Sequence, residues 1–292
     1  MLNFENVTNV AYLGPQASFT EIAADYFCQK FKINAYERPC ETIKEVVEFV
    51  ENNPDTLGVL PMENSVEGTN RETLDALLNA KNPNIKILSE HYMPISYCLL
   101  SRTTEFYSIT GLIATPKHMI KCKSFIKDEM PFNLNIIEAG GMPEAARSLQ
   151  GYNLTYASIG NKKVAEVFNL NVLKENINDD KTSQTRFILF GDFETEETGN
   201  DKTSITFSTE NKPGALYNIL NILMKNNINI SYIASHTPNK QFGEYMITVT
   251  FDGHVSNSEI FNALREIKNN TKYMKFLGSY KRSKPQLLVG IK

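Results

Sequence analysis

Three short polar segments hold residues whose types and spacing could do chemistry. The first, residues 14–20 (GPQASFT), lies between a predicted strand and a predicted helix. Free backbone N–H groups and hydroxyls at a helix N-terminus bind anions readily. Ordinary capping of the helix by Ser18 or Thr20 is the alternative, since such caps are common. The segment therefore predicts either an anion-binding turn or a plain N-cap.

The second segment, residues 61–75, places acidic and amide side chains directly after a predicted strand. Glu63, Asn64, Ser65 and Glu67 follow that strand within a few residues. In open α/β sheets, ligands bind beyond the carboxyl ends of the strands. This position favours a ligand-binding loop over a solvated loop.

The third segment, residues 182–187 (TSQTRF), enters another predicted strand. Thr185 could donate a hydrogen bond, and Arg186 could pair with a carboxylate in bidentate geometry. The alternative is an ordinary strand start with an outward-facing arginine.

The composition excludes several classes of function. The chain of 292 residues carries 30 Lys and Arg against 33 Asp and Glu, a formal net charge of −3, so no nucleic acid partner is expected. No run approaches the roughly 18 apolar residues that a membrane-spanning helix needs. The N-terminus also lacks the pattern of a secretory signal. We expect a soluble, cytoplasmic protein without a membrane partner.

Cysteine and histidine spacing bears on the cofactors. The 4 cysteines and 4 histidines are scattered and show no metal-ligand pattern. Neither a G-x-G-x-x-G sequence nor a P-loop lysine motif occurs, so nucleotide binding is not expected. We therefore expect neither a metal site nor a nucleotide cofactor.

The elements that must position these segments alternate along the first two thirds of the chain. The predicted strands are residues 10–13, 57–60 (ending at Pro61), 95–100, 111–114, 156–159 and 186–190. The predicted helices are residues 21–30, 42–50, 117–128 and 143–149. Thr42 and Glu45 have the spacing of a capping box. Such alternation predicts an α/β fold with mainly parallel sheets, and two lobes with a ligand cleft between them.

A second unit follows the acidic residues 193–202, which we interpret as a linker. Its predicted strands are residues 203–209, 228–233, 244–251 and 272–280, and its predicted helices are 213–226 and 256–268. Pro213 is expected in the first turn of a helix and Gly243 at the start of a strand. The βαββαβ order is that of a ferredoxin-like unit.

In order and separation, the three polar segments resemble the three signatures of the prephenate dehydratase family. The matching residues are 14–20 (GPQASFT), 63–68 (ENSVEG) and 185–187 (TRF). The C-terminal unit is similar to an ACT domain, whose Gly-Ala-Leu motif matches Gly214, Ala215 and Leu216. The resemblance covers roughly residues 9–282.

The resemblance implies both a fold and an activity. Residues 9–192 would form a two-lobed catalytic domain like type II periplasmic binding proteins, and residues 203–282 an ACT regulatory domain. Members of the family decarboxylate and dehydrate prephenate to phenylpyruvate on the way to phenylalanine, with no metal or cofactor. They are usually homodimers or homotetramers, and phenylalanine usually inhibits by binding between ACT domains.

The resemblance also implies site residues. Thr185 would donate a hydrogen bond at the ring hydroxyl of prephenate, beside the catalytic Glu63 and Asn64. The substrate-binding positions would be Ala17, Ser18, Ser65, Thr115, Gly140, Gly141, Arg186 and Phe187. The effector-binding positions would be Gly214, Ala215, Leu216, Ser235 and His236.

The sequence departs from the family pattern mainly in the second lobe and the effector motif. The departures are Ala17 for Gly, residues 114–116 (ATP) for Ser-His-Pro, Gly140 and Gly141 for a Ser-Thr pair, Lys121 for a frequent Gln, Ser183 for Asn, and residues 234–238 (ASHTP) for Glu-Ser-Arg-Pro. Because the effector motif is altered, phenylalanine binding stays open. His236 could take the place of the arginine in that motif, but a surface histidine is the favoured expectation.

Three functions stay open on these residues. The first is a working prephenate dehydratase, since Glu63, Asn64 and Thr185 remain. The second is a prephenate decarboxylase that keeps the ring hydroxyl and gives a dihydro product, which the missing serine would fit and Thr185 would not. The third is a ligand sensor that kept the cleft and lost the chemistry.

Overall fold

Three β-sheets organise the chain in the computed structural model, which describes residues 4–237 and 245–285. The strands are β1 (Asn9–Leu13), β2 (Tyr36–Cys40), β3 (Thr56–Asn64), β4 (Gly68–Thr69), β5 (Lys86–Pro94), β6 (Cys98–Ser101), β7 (Gly111–Ala114), β8 (Asn135–Glu138), β9 (Tyr156–Gly160), β10 (Asn171–Lys174), β11 (Gln184–Gly191), β12 (Asp201–Ser208), β13 (Ile230–His236), β14 (Met246–Asp252) and β15 (Tyr273–Lys281). The helices are α1 (Phe19–Phe31), α2 (Ile43–Asn52), α3 (Arg71–Asn79), α4 (Pro116–Lys121), α5 (Lys123–Glu129), α6 (Met142–Ser148), α7 (Lys162–Val167), α8 (Ala215–Lys225) and α9 (Ser258–Asn269). Across the described residues, every helix is too short or too polar to cross a lipid bilayer.

The first lobe is a mixed sheet rather than the mainly parallel one expected. Its order is β2-β1-β3-β11-β5, with β4 at the edge of β3. β1 runs parallel to β2 and β3, whereas β11 is antiparallel to both β3 and β5. The direction of β11 follows from the chain path, because the chain leaves this lobe after β5 and returns to it only at β11.

The second lobe is built from the intervening residues. Its sheet has the order β10-β6-β9-β7-β8, with β7 parallel to β8 and β9, and with β6 antiparallel to its neighbours. Residues 95–97 and 175–183 are the two crossings between the lobes. One continuous apolar cluster, which includes Leu57 and Phe187 of the first lobe and Leu99 and Leu112 of the second, holds the two lobes together.

Helix starts follow local side-chain capping. Thr42 caps α2 by accepting a hydrogen bond from the Glu45 N–H at 3.1 Å, which confirms the predicted cap. The Glu45 carboxylate accepts a hydrogen bond from the backbone N–H of Glu41, the residue before the cap, at 2.8 Å. The predicted helix 117–128 is instead two helices, since Cys122 has a non-helical backbone (φ −118°, ψ 25°) between α4 and α5.

Two strand predictions were wrong in an informative way. β3 does not end at Pro61 but continues to Asn64, and the ladder with β11 shifts register beside this proline, between Arg186 and Phe187. Such an irregularity is where a strand tolerates a residue without an N–H. β5 was not predicted, and the predicted strand 95–100 begins only at Cys98.

The C-terminal sheet has the order β13-β14-β12-β15 with α8 and α9 packed against it, the predicted ferredoxin-like arrangement. β12 begins at Asp201, inside the predicted linker. Pro213 lies before α8 rather than in its first turn, because Gly214 (φ 79°) is the N-cap. Gly243 lies outside the described residues.

The C-terminal unit packs its strand β15 against β5 of the first lobe. At Gly278 (φ 133°) a Cβ atom would lie 2.4 Å from the Ile87 carbonyl oxygen, so only glycine permits this approach. Beside it, the fully buried Glu90 accepts hydrogen bonds from Arg186 Nε (2.7 Å) and Ser283 N (2.9 Å) and pairs with Lys202 Nζ (2.9 Å). The junction between the two domains is therefore a buried ionic network.

A cluster of acidic side chains lies where α1 and α7 bring the two lobes together. Lys163 of α7 binds Asp25 of α1 at 2.9 Å. Burial and the neighbouring Asp25 and Glu21 carboxylates raise the pKa of Glu37 above its ordinary value to about 7. The folded protein therefore holds a proton at Glu37 that the unfolded chain releases at lower pH.

Replacing Glu37 with glutamine is expected to stabilise the protein above pH 7 and to change its stability little near pH 4. Between the ordinary carboxyl range and about pH 7 the folded state binds more protons, so the free energy of unfolding falls as pH rises. The measurement is the melting temperature of wild type and Glu37→Gln from pH 4 to pH 8. Glu41→Gln, at an exposed carboxylate, is the control. Parallel melting profiles for wild type and Glu37→Gln would contradict the assignment.

Candidate active site

A cavity of about 590 Å³ lies between the two lobes, at the carboxyl ends of β1 and β3. It is lined by Leu13, Ser18, Phe19, Thr20, Pro61, Glu63, Asn64, Glu67, Gly68, Thr69, Asn70, Arg71, Ile95, Tyr97, Lys117, His118, Lys121, Met142, Thr185 and Phe187. Such a volume suits one small molecule.

Thr185 and Asn64 meet because the β11–β3 ladder pairs them directly. Asn64 Nδ2 donates to Thr185 Oγ1 at 2.9 Å, and Asn64 Oδ1 accepts from the backbone N–H groups of Val66 (2.9 Å) and Glu67 (3.0 Å). These bonds fix which way the amide points. Within the described part of the chain the Thr185 hydroxyl hydrogen has no acceptor, so it is available to a ligand.

The first polar segment caps α1 and contributes to the cavity wall, while its anion-binding role stays a prediction. Ser18 caps α1, accepting from Glu21 N at 3.2 Å, so the capping interpretation holds. Ser18 and the buried Thr20 also line the cavity. Glu63 of β3 also lines the cavity, its side chain 34% exposed and 3.9 Å from Arg186 Nη1.

Arg186 does not face the cavity. Successive side chains of a strand point to opposite faces, so Thr185 and Phe187 face the cleft while Arg186 faces the ACT-like unit. Its guanidinium is 2% exposed and bonds to Glu90 and to the Tyr280 hydroxyl (2.7 Å). Because it is fully engaged there, the expected pairing with a substrate carboxylate is not supported by its position.

The cations that line the cavity come instead from two helices on opposite lobes. Lys117 and Lys121 of α4 reach across to Glu67 of the first lobe, at 3.4 and 2.7 Å. Burial opposes ionisation of Glu67, but the two ammonium groups outweigh it and lower its pKa. Arg71, in the first turn of α3, is the third cation of the cavity wall.

Several expected substrate-binding residues lie behind the wall rather than on it. The Ala17 amide donates to the Glu21 carboxylate, and its carbonyl accepts from Asn161 Nδ2 of the second lobe at 2.9 Å. Ser65 Oγ accepts a hydrogen bond from the backbone N–H of Gln184 at 3.0 Å. These groups support the cleft by tying its loops together.

The expected substrate-binding positions of the second lobe also lie behind the cavity wall. Thr115, 8% exposed, caps α4 and lies 2.8 Å from the His118 ring, which does line the cavity. The Gly140 amide donates to the Glu144 carboxylate at 3.0 Å, and Gly141 is the N-cap of α6.

The effector positions lie in the ACT-like unit. Gly214, Ala215 and Leu216 begin α8, while Ser235 and His236 end β13. His236 was expected at the surface; it is 5% exposed, because its Nε2 packs 3.0 Å from the Asp75 carboxylate of α3. Pro238 of this motif lies outside the described residues.

Sequence reasoning missed part of the cavity wall, namely Tyr97, Arg71, Lys117, His118 and Met142. One signal was present: Lys117 and Lys121 are four residues apart, which places both on one face of a helix. Among residues 4–237 and 245–285, no three His, Cys, Asp or Glu side chains gather as metal ligands would.

Comparison with known proteins agrees with this architecture. Residues 10–195 match the family model of prephenate dehydratase and residues 203–269 that of the ACT domain. The chain is 33% identical over 280 residues to the bifunctional chorismate mutase/prephenate dehydratase of Aquifex aeolicus, covering 96% of this chain and 75% of that one. It is 34% identical over 280 residues to the prephenate dehydratase of Methanocaldococcus jannaschii, covering 93% and 97%.

The fold is also shared with a solved relative. The prephenate dehydratase of Arthrobacter aurescens, solved in complex with L-Phe, is 29% identical, with a TM-score of 0.81, covering 97% of this chain and 93% of that one. The match spans both lobes and the ACT domain. This chain belongs to the prephenate dehydratase family.

Proposed function

We propose that this protein is a prephenate dehydratase, a lyase that converts prephenate to phenylpyruvate, carbon dioxide and water. The observation that carries the proposal is the Thr185 hydroxyl, held by Asn64 and open to the cleft of a family member. In the reaction the bond from the ring to its carboxylate breaks and its electron pair enters the ring. The bond to the ring hydroxyl breaks in turn, and that hydroxyl takes a proton and leaves as water.

Thr185 acts on the step that aromatises the ring. A hydroxyl is a poor leaving group unless a donor stabilises the negative charge that grows on its oxygen. The Thr185 hydroxyl supplies that bond, and the amide of Asn64 fixes its oxygen in place. Glu63 lines the same wall.

The cavity wall also suits the charge of the substrate. Prephenate carries two carboxylates, and Lys117, Lys121 and Arg71 are the cations that face the cleft. Phe187 and Ile95 provide apolar surface for the ring. Carboxylates of the substrate would replace Glu67 as the partner of the two lysines. Each lysine would then keep an anionic partner when the substrate binds.

The alternative of a decarboxylase that keeps the ring hydroxyl needs a weakened donor at that hydroxyl. The directed Thr185 hydroxyl supports the dehydratase instead. We also propose phenylalanine as effector of the ACT domain and a homodimer or homotetramer as the assembly. The L-Phe complex of the Arthrobacter relative supports the effector.

The test is to incubate the purified protein with prephenate at neutral pH and follow the products by NMR. We expect phenylpyruvate to form at a rate far above the spontaneous breakdown of prephenate. A non-aromatic product with release of carbon dioxide would contradict the dehydratase and support the decarboxylase. Recovery of unchanged prephenate would contradict both enzymes and support a ligand-binding protein without catalytic activity.

A further inference from the structure

His118 is a feature of the cleft that the proposed mechanism has not used. It lies on α4 of the second lobe and lines the cavity together with Tyr97, Met142 and Thr185. Its ring packs against Tyr97, with 5.1 Å between the ring centroids. Among the described residues its Nδ1 has one partner, Thr115, and its Nε2 has none.

The bonds of Thr115 determine where the proton of this ring sits. Thr115 Oγ1 accepts from the backbone N–H of His118 at 3.1 Å and lies 2.8 Å from Nδ1. If Nδ1 carried the proton, the buried hydroxyl hydrogen of Thr115 would lack an acceptor in the described structure. If the hydroxyl donates to Nδ1 instead, both the Thr115 hydroxyl and Nδ1 have a partner, and Nε2 is left to a ligand. The neutral ring therefore carries its proton on Nε2.

The ring is neutral at physiological pH. Burial, together with the nearby Lys121 and Lys117, lowers the pKa of His118 to about 4. A neutral imidazole with a locked Nδ1 offers a single directed N–H donor. This donor adds no charge to a cleft that already holds cations.

We propose that His118 Nε2 donates a hydrogen bond to the pyruvyl side chain of prephenate, as a specificity-determining residue for the substrate of the proposed reaction. The inference rests on the proposed function. A donor on the ring carboxylate would hold back the group that must leave, whereas the pyruvyl group does not react. His118 also lies on the lobe opposite to Thr185, so the two donors reach the substrate from opposite walls of the cleft.

The test compares wild type with His118→Leu and His118→Gln. Leucine fills the space without a donor, and the glutamine amide restores an N–H donor near the position of Nε2. The ligand is phenylpyruvate, which keeps the pyruvyl group and lacks both reacting groups, and its affinity is measured by calorimetry. We expect a Kd about 10-fold higher for His118→Leu, as for one lost hydrogen bond to a polar or charged group, and near wild type for His118→Gln.

Turnover gives a second, independent readout. Because the bond is made equally in the ground state and the transition state, KM for prephenate should rise in His118→Leu by the same factor while kcat stays close to wild type. Unchanged affinity for phenylpyruvate, equal losses in both variants, or a loss confined to kcat would each overturn the proposal. The calorimetric comparison needs no turnover, so failure of the proposed function would show separately as a wild type that forms no phenylpyruvate.

Discussion

Replacing Thr185 with valine is expected to lower kcat for phenylpyruvate formation by about 10²-fold or more, the scale of a lost proton donor in a transition state. Valine keeps the branched shape of the 8% exposed side chain and replaces the hydroxyl with a methyl group. Negative charge on the departing ring oxygen then has no donor from this wall. KM should change much less, because the bond strengthens only as the oxygen departs.

The measurement is initial-rate kinetics on Thr185→Val, Thr185→Ser and Ser183→Ala. The serine variant keeps the hydroxyl and is expected to keep most of the rate. Ser183 is the matched control, because its hydroxyl is the other acceptor near Asn64 Nδ2, at 3.3 Å. A Thr185→Val enzyme with kcat close to wild type would remove Thr185 from the mechanism.

Replacing Glu90 with glutamine is expected to lower the free energy of unfolding by about 3–5 kcal/mol, the cost of leaving buried charge without its counter-ion. The carboxylate is fully buried and serves both Arg186 and Lys202. A neutral amide leaves two cations in a buried junction with no anion at that position. Urea unfolding of the two proteins measures the difference.

An exposed ion pair of the same strand provides the control. Lys86 of β5 pairs with Glu194, whose side chain is 86% exposed, so Glu194→Gln should cost less than about 1 kcal/mol. Adding Lys202→Met to Glu90→Gln removes one of the two unpaired cations and should recover part of the lost free energy of unfolding. Equal stability of Glu90→Gln and Glu194→Gln would refute the buried network.

Local signals were sufficient wherever a feature is decided within a few residues. The cap of α2 by Thr42 needs only Glu45, three positions later. The ferredoxin-like order follows from alternating apolar patterns along one segment of about 80 residues. Family resemblance assigned Thr185 and Asn64 to one site, but their direct hydrogen bond was not predicted, since 121 positions separate them.

Contacts between segments that are far apart in the sequence could not be predicted from local patterns. A strand with an acid at its centre, such as β5, does not resemble a buried strand, because the partners of Glu90 come 96 and 112 positions later. Arg186 next to a candidate catalytic threonine suggested substrate binding, and only the strand's alternation shows that it faces the other domain. The cross-cleft pairing of Lys117 and Lys121 with Glu67 is likewise set by how two lobes approach each other.

The buried junction at Glu90 constrains how this enzyme could exchange modules during evolution. Two partners of this network come from outside the catalytic lobes: Lys202 supplies a positive charge to Glu90, and the Tyr280 hydroxyl accepts a hydrogen bond from Arg186. A recombination that joined a different regulatory module to these lobes would have to bring an equivalent ammonium and hydroxyl. Otherwise the Glu90 carboxylate and Arg186 would each lose a buried partner. Exchange of the C-terminal unit alone would therefore carry a stability cost that exchange of both units together would not.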